Sequence, residues 1–482
     1  MRLTSGSTMG SHLGDRFPDL SDSLSSAGQV KQSFTITLFA AFSLLAVASA
    51  MINPNVTPVE LVRDAEQILS LRREGAAQTS FLKFKAVETL KGNQRNKVTL
   101  TFEKSEPRQV EAMLGLLKKD NGHCLLMIGG KGKKRRGFLH VRARWFELRI
   151  LGDGLLELQK ESSWLLGVWN GGTDMLTRCV KHILKSKGKT RIPVNAGIMW
   201  DPMERIGTVD GAPIAIRVLH LNGDGAPYLH IASPKGDRIF RGLRRGEEGA
   251  ITDVTNKADL KLSKNTGHQK LSKKLFTMLS EKEVDGLGKP SRIVVSDFTG
   301  DNLSDAIVPF EKGGLFFEGN RANSYESPRS CAVSTTHGKA VSTVADFDGD
   351  GLIDVVLSGD DGTKIFHNQG NVKFVECLAE SGEVSYKAAR FASWCSAADI
   401  NGDGHPDLMV TYHEQLPQFY FNRGFRSFGF AVRLFTSLQG AEMNAADGQQ
   451  AGVFADMNSD GAPDAILVLN NGEVWCLFNE GN

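Results

Sequence analysis

The chain has 482 residues, 41% of them hydrophobic and 23% charged, and its 57 Lys and Arg against 55 Asp and Glu leave a formal charge of +2. That length points to two or three domains, and the near-neutral balance speaks against nucleic acid or another polyanion as partner. Six cysteines (124, 179, 331, 377, 395 and 476) are too few for a disulfide scaffold and show no metal-ligand spacing, while 51 glycines suit an all-β chain with many turns.

The N-terminus reads as an export leader. Residues 34–47 form an apolar run of fourteen, with Lys31 ahead of it and Ala48-Ser49-Ala50 behind, the pattern of a secretory signal and its small-residue cleavage site. The run falls short of the roughly 20 residues of a membrane span, so membrane attachment is expected only if the segment 34–50 stays uncleaved. The 33 residues ahead of it are polar and Ser/Gly-rich, which fits either a later start at Met9 or an uncleaved anchor. In an exported chain Cys377 and Cys395 are placed to pair across neighbouring strands.

A β-rich accessory domain is expected over 52–190. In 59–71, Leu61, Ala65, Ile68 and Leu69 recur at helical spacing and predict a short amphipathic helix. The period then shortens, and 81–87, 97–102, 124–128, 137–141 and 155–158 read as strands. The basic cluster at 131–136 reads as the solvated tip of a hairpin between 124–128 and 137–141, in preference to a patch for acidic polymers or phospholipid. In 173–184, Met175, Leu176, Cys179, Val180, Ile183 and Leu184 make one apolar stripe, with Thr173 or Asp174 as N-cap. His182 flanks that stripe without an acidic partner at helical spacing and reads as a packing-helix histidine. Basic residues follow over 185–191, and Pro193 stops any helix, so the domain boundary is placed there.

From 192 onward a nine-residue loop recurs. Its fullest form runs from Asp346 to Asp354, with Asp346, Asp348, Asp350 and Asp354 at positions 1, 3, 5 and 9, and Gly351 at position 6. Four carboxylates so close repel one another unless a hard cation with oxygen ligands gathers them, and calcium is the usual one; Leu352 at position 7 would add its carbonyl. Asp399, Asn401, Asp403 and Asp407 repeat the pattern, as do Asp456, Asn458, Asp460 and Asp464. A weaker copy has Asp297, Thr299, Asp301 and Asp305, with Asn302 at the turn, and a decayed one runs from His220 to Tyr228. First positions at 220, 297, 346, 399 and 456 give intervals of 77, 49, 53 and 57. A second marker keeps step: Asn368, Asn422 and Asn479, each before x-Gly, lie 22, 23 and 23 residues after their aspartates, with weaker counterparts at Gly319 and Gly242. Repeats near 50 residues with apolar flanks have the size of four-stranded propeller blades, five visible and a sixth possible. The last blade would then be completed by a strand from the start of the ring. The lysine-rich insertion 246–288, with Leu260, Leu262, Leu271, Leu275 and Leu279, reads as helical or as a blade without a loop.

These loops resemble the FG-GAP/VCBS repeats of integrin α-subunit propellers and of many exported bacterial proteins. The resemblance covers roughly 195–482, about 60% of the chain. It implies a mainly β fold with a C-terminal β-propeller of five to seven blades over 192–482, and calcium in the loops between the first two strands of each blade. Three loops are expected to hold Ca²⁺ and a fourth, at 297–305, is a weaker candidate.

A structural role for the ion is favoured, because four side chains, a carbonyl and a water leave it little vacancy, and affinity near Kd on the order of 10⁻⁴ M suits an extracellular module. No Gly-x-Ser-x-Gly, His-Glu-x-x-His or phosphate-cradling loop occurs, and no catalytic residue is assigned. His405 and His413, on either side of a strand and on one face, are the first candidates for a lyase-type base. The expected role is therefore a non-enzymatic, exported binding or adhesion module, secreted, periplasmic or on the cell surface, with a protein or polysaccharide ligand. The alternatives are a carbohydrate-active enzyme of lyase type and a membrane-anchored scaffold.

Overall fold

The computed structural model describes residues 57–480 except 76–79, 120–121, 131–134, 153, 188–199, 222, 257–270, 272–273, 323, 336–339 and 431–447. Two compact units divide the chain, Met1–Asn53 and Pro54–Asn482, and every described residue belongs to the second. The leader, most of the basic hairpin tip, Pro193, Leu260 and Leu262 lie outside the described residues.

The protein is mainly β. Its N-terminal part is a closed seven-stranded barrel: β1 (Ala65–Glu74), β2 (Phe81–Lys91), β3 (Lys97–Thr101), β4 (His123–Gly129), β5 (Arg136–Val141), β6 (Arg144–Gly152) and β7 (Leu155–Glu161), in the order β1-β2-β3-β7-β6-β5-β4. The five expected strands are present. The helix expected over 59–71 is corrected: α1 (Pro58–Asp64) is one capped stretch, after which the chain becomes β1. The apolar run misled because both faces of β1 are buried. Leu69 and Leu71 point into the barrel, whereas Ala65 and Ile68 pack in a second core outside it, so an alternating strand looks continuously apolar. Between β3 and β4, α2 (Pro107–Lys119) inserts Met113 and Leu117 into the barrel core. The outer core is covered by α3 (Thr173–Lys185), whose predicted stripe of Met175, Leu176, Cys179, Val180 and Ile183 is buried; its N-cap is Gly172, without a side-chain cap.

The C-terminal part holds five antiparallel four-stranded sheets. The first has β9 (Ala215–His220), β10 (Pro227–Ala232), β11 (Arg238–Arg241) and β12 (Thr252–Asp253); the second has β13 (Val294–Ser296), β14 (Asp305–Phe310), β15 (Gly313–Phe317) and β16 (Arg329–Cys331). The third has β17 (Val341–Ala345), β18 (Asp354–Gly359), β19 (Gly362–Asn368) and β20 (Phe374–Glu376), and the fourth has β21 (Ala392–Ala398), β22 (Asp407–Tyr412), β23 (Gln418–Asn422) and β24 (Phe428–Phe430). The fifth is β25 (Gln449–Ala455), β26 (Asp464–Leu469) and β27 (Glu473–Asn479), and its fourth strand is β8 (Trp200–Thr208), delivered from the start of the region.

Central strands carry unbroken apolar runs because both faces are covered: β14, β18, β22 and β26 are buried at every residue. Neighbouring sheets share cores, first with fifth around Ile231 and Ile466, and fifth with fourth around Leu467 and Phe419. Fourth packs with third around Val410 and Ile365, and third with second around Phe366 and Phe316. The insertion's described part includes the short α4 (Glu281–Val284) and covers the second sheet with Leu275, Leu271 and Leu279, as its leucines suggested. The Cys377–Cys395 pairing that an exporting context would permit is not formed. Both thiols lie free in the core between third and fourth sheets, where burial pushes the Cys377 thiol up to about 11 and Cys395 higher still.

Candidate metal-binding loops

Each loop connects the first and second strands of its sheet, and position 9 opens the second strand: Asp305, Asp354, Asp407 and Asp464 are the first residues of β14, β18, β22 and β26. The carboxylates organise the turn by accepting backbone N–H groups. Asp346 accepts from Gly349 (2.8 Å), Asp350 (3.1 Å) and Gly351 (2.9 Å), and Asp297 accepts from Gly300, Asp301 and Asn302. Asp399 takes Asp403 and Gly404, and Asp456 takes Asp460 and Gly461. At position 5, Asp301, Asp350, Asp403 and Asp460 each accept the N–H of position 7 at 2.8–2.9 Å. The turn residue is left-handed in all four, with φ of +88° at Gly351 and +65° at Asn302, the tolerance that let asparagine replace glycine.

Position 9 ties the loop to its own third strand. Asp354 accepts the N–H of Phe347 at position 2 (3.3 Å) and of Asn368 (2.8 Å); Asp407 accepts Ile400 and Asn422, and Asp464 accepts Met457 and Asn479. In the weaker loop Asp305 takes Phe298 and Gly319. The asparagine marker then reaches the adjacent sheet. Asn368 Nδ2 donates to the Phe298 carbonyl (2.9 Å), Asn422 Nδ2 to that of Phe347 (2.8 Å) and Asn479 Nδ2 to that of Ile400 (2.7 Å). The Met457 carbonyl is taken by the Leu243 N–H (2.7 Å), a backbone donor from the first sheet. The two phase-locked markers are thus one device, a relay linking each loop to the next sheet.

Around this shared geometry the electrostatics differ. In the loop at 346–354, Asp348 is buried and its Oδ2 meets Arg426 Nη1 (3.1 Å), Arg178 Nη1 of α3 (3.4 Å) and His367 Nδ1 (3.4 Å), while its Oδ1 has no partner. Burial first, and then the Asp354 charge, push the Asp348 carboxyl up to about 6 despite Arg426 and His367. Ligand atoms of Asp348, Asp350 and His367 lie within 4.8 Å of one another, a grouping His367 joins unpredicted. His367, Arg178 and Arg426 escaped the sequence reading because none has a fixed offset from the loop.

In the loops at 399–407 and 456–464, among the described residues, no Lys, Arg or His side chain forms an ion pair with a loop carboxylate, although the His405 charge acts on Asp403. Burial, reinforced by the Asp403 and Asp399 charges, pushes Asp407 up to about 8 against the N–H bonds it accepts, and Asp464 rises to about 7 for the same reasons. Asn401 and Asn458 turn their Nδ2 to Asp403 and Asp460 at 3.0 and 2.8 Å. In the loop at 297–305, Thr299 contributes its N–H to Asp305 (3.1 Å). The decayed loop has its own cation: Asp224 accepts from Arg241 (3.1 Å) and the Tyr228 hydroxyl (2.8 Å).

The donors fit calcium. They are oxygens of carboxylates and amides, too many and too close for their own charge, and one of them, Asp348 Oδ1, is buried and unpartnered. The candidate bases do not converge: His405 precedes and His413 follows the six-residue β22, which separates them by about 20 Å. His182 stacks edge-on near Phe425.

Loops and sheets together define a repeat protein of β units joined through acidic turns. A model of the FG-GAP-like repeat matches residues 346–410 and 399–467. The chain therefore carries FG-GAP-like repeats over 346–467. No curated protein matches it. Among solved structures it is similar to the Photorhabdus luminescens Tc holotoxin pore (13% identity, TM-score 0.33, 74% of this chain and 18% of that one). It is also similar to BBS1N in complex with ARL6DN (11%, 0.30, 60% and 99%) and to an Agrocybe aegerita lectin that recognises non-reducing terminal N-acetylglucosamine (14%, 0.30, 86% and 90%). The chain spans less than a fifth of the toxin's length.

Proposed function

We propose that the five sheets are blades of a calcium-stabilised β-propeller and that the protein is an exported, non-enzymatic binding or adhesion module, with a protein or polysaccharide at the cell surface as its ligand. The observation that carries the calcium reading is the set of carboxylates at 399–407 and 456–464, gathered in one turn around the buried Asp407 and Asp464 with, among the described residues, no ion-paired side chain. Asp399, Asn401, Asp403 and Asp407 would hold one ion with the His405 carbonyl, and Asp456, Asn458, Asp460 and Asp464 another with that of Ala462. Asp346, Asp348, Asp350 and Asp354 are the third set, and Asp297, Thr299, Asp301 and Asp305 a weaker fourth. Bound calcium would offset the carboxylate repulsion and fix the turn, while position 9 and the asparagine relay pass that order to the neighbouring sheet. Support for the propeller comes from β8 completing the fifth sheet and from first strands lying against one another, β13 on β17, β17 on β21 and β21 on β25.

The binding role is supported by the separation of His405 from His413, the two histidines the sequence offered as a lyase-type base. Calorimetric titration with calcium tests the ion: two or three equivalents are expected, and no uptake sinks the reading. Incubation with polysaccharides, with and without chelator, tests the role, because metal-dependent release of unsaturated products would make the protein a lyase.

A further inference from the structure

A cleft of about 600 Å³ lies between the barrel and the segment that follows the third sheet, lined by Lys119, Arg142, Arg144, Leu166, Asn170 and Glu380. Its floor is an anomaly. Asn170 is 3% exposed, yet neither its amide oxygen nor its amide nitrogen has a partner. The side chain has little freedom to turn away, because its neighbours are pinned. The Trp169 carbonyl accepts from Trp145 Nε1 (2.7 Å), Gly171 bridges to Ser381, and the Gly172 N–H donates to the Glu380 carbonyl (2.7 Å). A buried amide held with both ends unmet calls for a partner, and water or a ligand in the cleft can supply it.

The surrounding charges say what kind of molecule. Arg142 is committed to Glu380 and Arg144 to Glu161, whereas Lys119 at the exposed rim makes no ion pair or hydrogen bond among the described residues. Leu116, Leu166, Ala143 and Ala379 supply an apolar wall. A ligand that fits has an anionic group for Lys119, adjacent groups that both donate and accept for Asn170, and an apolar face for the leucines. A sugar ring has those faces: neighbouring hydroxyls each donate and accept, and the ring C–H face is apolar. A small inorganic anion would satisfy Lys119 and leave Asn170 unmet.

We propose that this cleft binds a carboxylated sugar, a uronic acid residue of a polysaccharide. The inference rests on the binding role proposed above and gives it a place and a ligand class, but uses no loop carboxylate. The test is calorimetric titration of the full chain with di- and trisaccharides of galacturonate and glucuronate, alongside neutral counterparts and an acidic peptide. Uronates should bind, the neutral sugars at least tenfold more weakly. Lys119→Glu, a surface change that leaves the core untouched, should weaken uronate binding at least tenfold; Asn170→Ala should abolish it, with the melting temperature checked in parallel. Equal affinity for neutral sugars, stronger binding of the peptide, or no heat at all, as when only water fills the cleft, would overturn it. Uronate binding unchanged by Lys119→Glu overturns the cleft and leaves the binding role standing. Unsaturated products in the titrated sample overturn that role and leave the cleft standing.

Discussion

In the loop at 220–228 a single carboxylate, Asp224, is answered by Arg241 at 3.1 Å and by the Tyr228 hydroxyl at 2.8 Å, whereas in the loop at 399–407 three carboxylates share one turn without an ion-paired side chain among the described residues. The consequences for acidity are opposite. Although partial burial acts against it, Asp224 is held below the usual range by the Ala226 N–H, Tyr228 and Arg241; Asp407 is pushed up to about 8, chiefly by burial. One backbone design therefore admits two sources of positive charge. Where the chain supplies a guanidinium, the outer acids become dispensable and Tyr228 takes the ninth position. Where it supplies none, the acids are retained, and in the reading proposed above calcium supplies the balancing charge. The loop at 346–354 has both, a full acid set and the cations Arg426, Arg178 and His367 on Asp348. Completeness of the acid pattern is thus a poor guide to how much a loop depends on an ion.

The strongest way to break this contrast is Asp407→Ala, which strips the Ile400 and Asn422 N–H groups of their buried acceptor as well as removing a ligand. A loss of about 3–5 kcal/mol is expected, read from denaturant unfolding; a loss under about 1 kcal/mol would mean that position 9 does not organise the turn. The pH dependence in chelator sharpens the same point. Because the folded Asp407 carboxyl lies near 8 and its ordinary value is 3.8, its contribution to stability is fully present below about 4 and is lost as pH rises through about 8. Asp224, with its value lowered, runs the other way and loses its contribution as pH falls. Asp407→Asn, which cannot ionise, should remove the loss expected between about pH 4 and pH 8 in chelated wild type; identical pH profiles would defeat the argument.

Next in size is Asn422→Ala, which frees the Phe347 carbonyl and the Gly424 N–H. About 2 kcal/mol is expected, with hydrogen exchange faster in both the third and the fourth sheet; an effect confined to the fourth would refute the relay. Asp403→Ala comes after it. At millimolar calcium and a Kd on the order of 10⁻⁴ M, one bound ion stabilises by roughly 1.4 kcal/mol, so the variant should lose about that much with calcium and little in excess chelator. Equal losses in both conditions would show that the carboxylate is not a ligand.

The loops were legible in the sequence because their chemistry is local: the ligand positions, the left-handed turn and the strand following position 9 all fall within nine residues. The relay was legible only as spacing, since each asparagine finds its acceptor 70–79 residues earlier in the chain. The barrel was half legible. Its hairpin β4–β5 reads directly, but β6 carries charge at Glu147 and Arg149 among its apolar residues, and closure depends on the parallel pairing of β3 with β7, which leaves no local trace. The cations on Asp348 were beyond reach for the same reason: Arg178 lies 170 residues before it and Arg426 lies 78 after.

The smallest expected effect separates the two sources of charge most cleanly. Arg178 is partly exposed and joins α3 to Asp348 through its side-chain oxygen and, at 3.2 Å, its carbonyl. Arg178 is itself partly exposed and its loss leaves the buried Asp348 still paired with Arg426, so the pair is worth about 1 kcal/mol or less and Arg178→Ala should barely move the melting temperature. Its effect on calcium should have the opposite sign to that of Asp403→Ala. Removing a guanidinium that competes for Asp348 Oδ2 lowers the repulsion an incoming cation meets, so the third loop should take calcium more tightly, by two- to fivefold on the order of a screened surface charge. Titration calorimetry of the variant in low salt reads this directly, and the gain should shrink as salt is added. Weaker calcium binding would mean that Arg178 holds Asp348 in place for the ion, and the chain's cations would then be partners of the metal and not its substitutes.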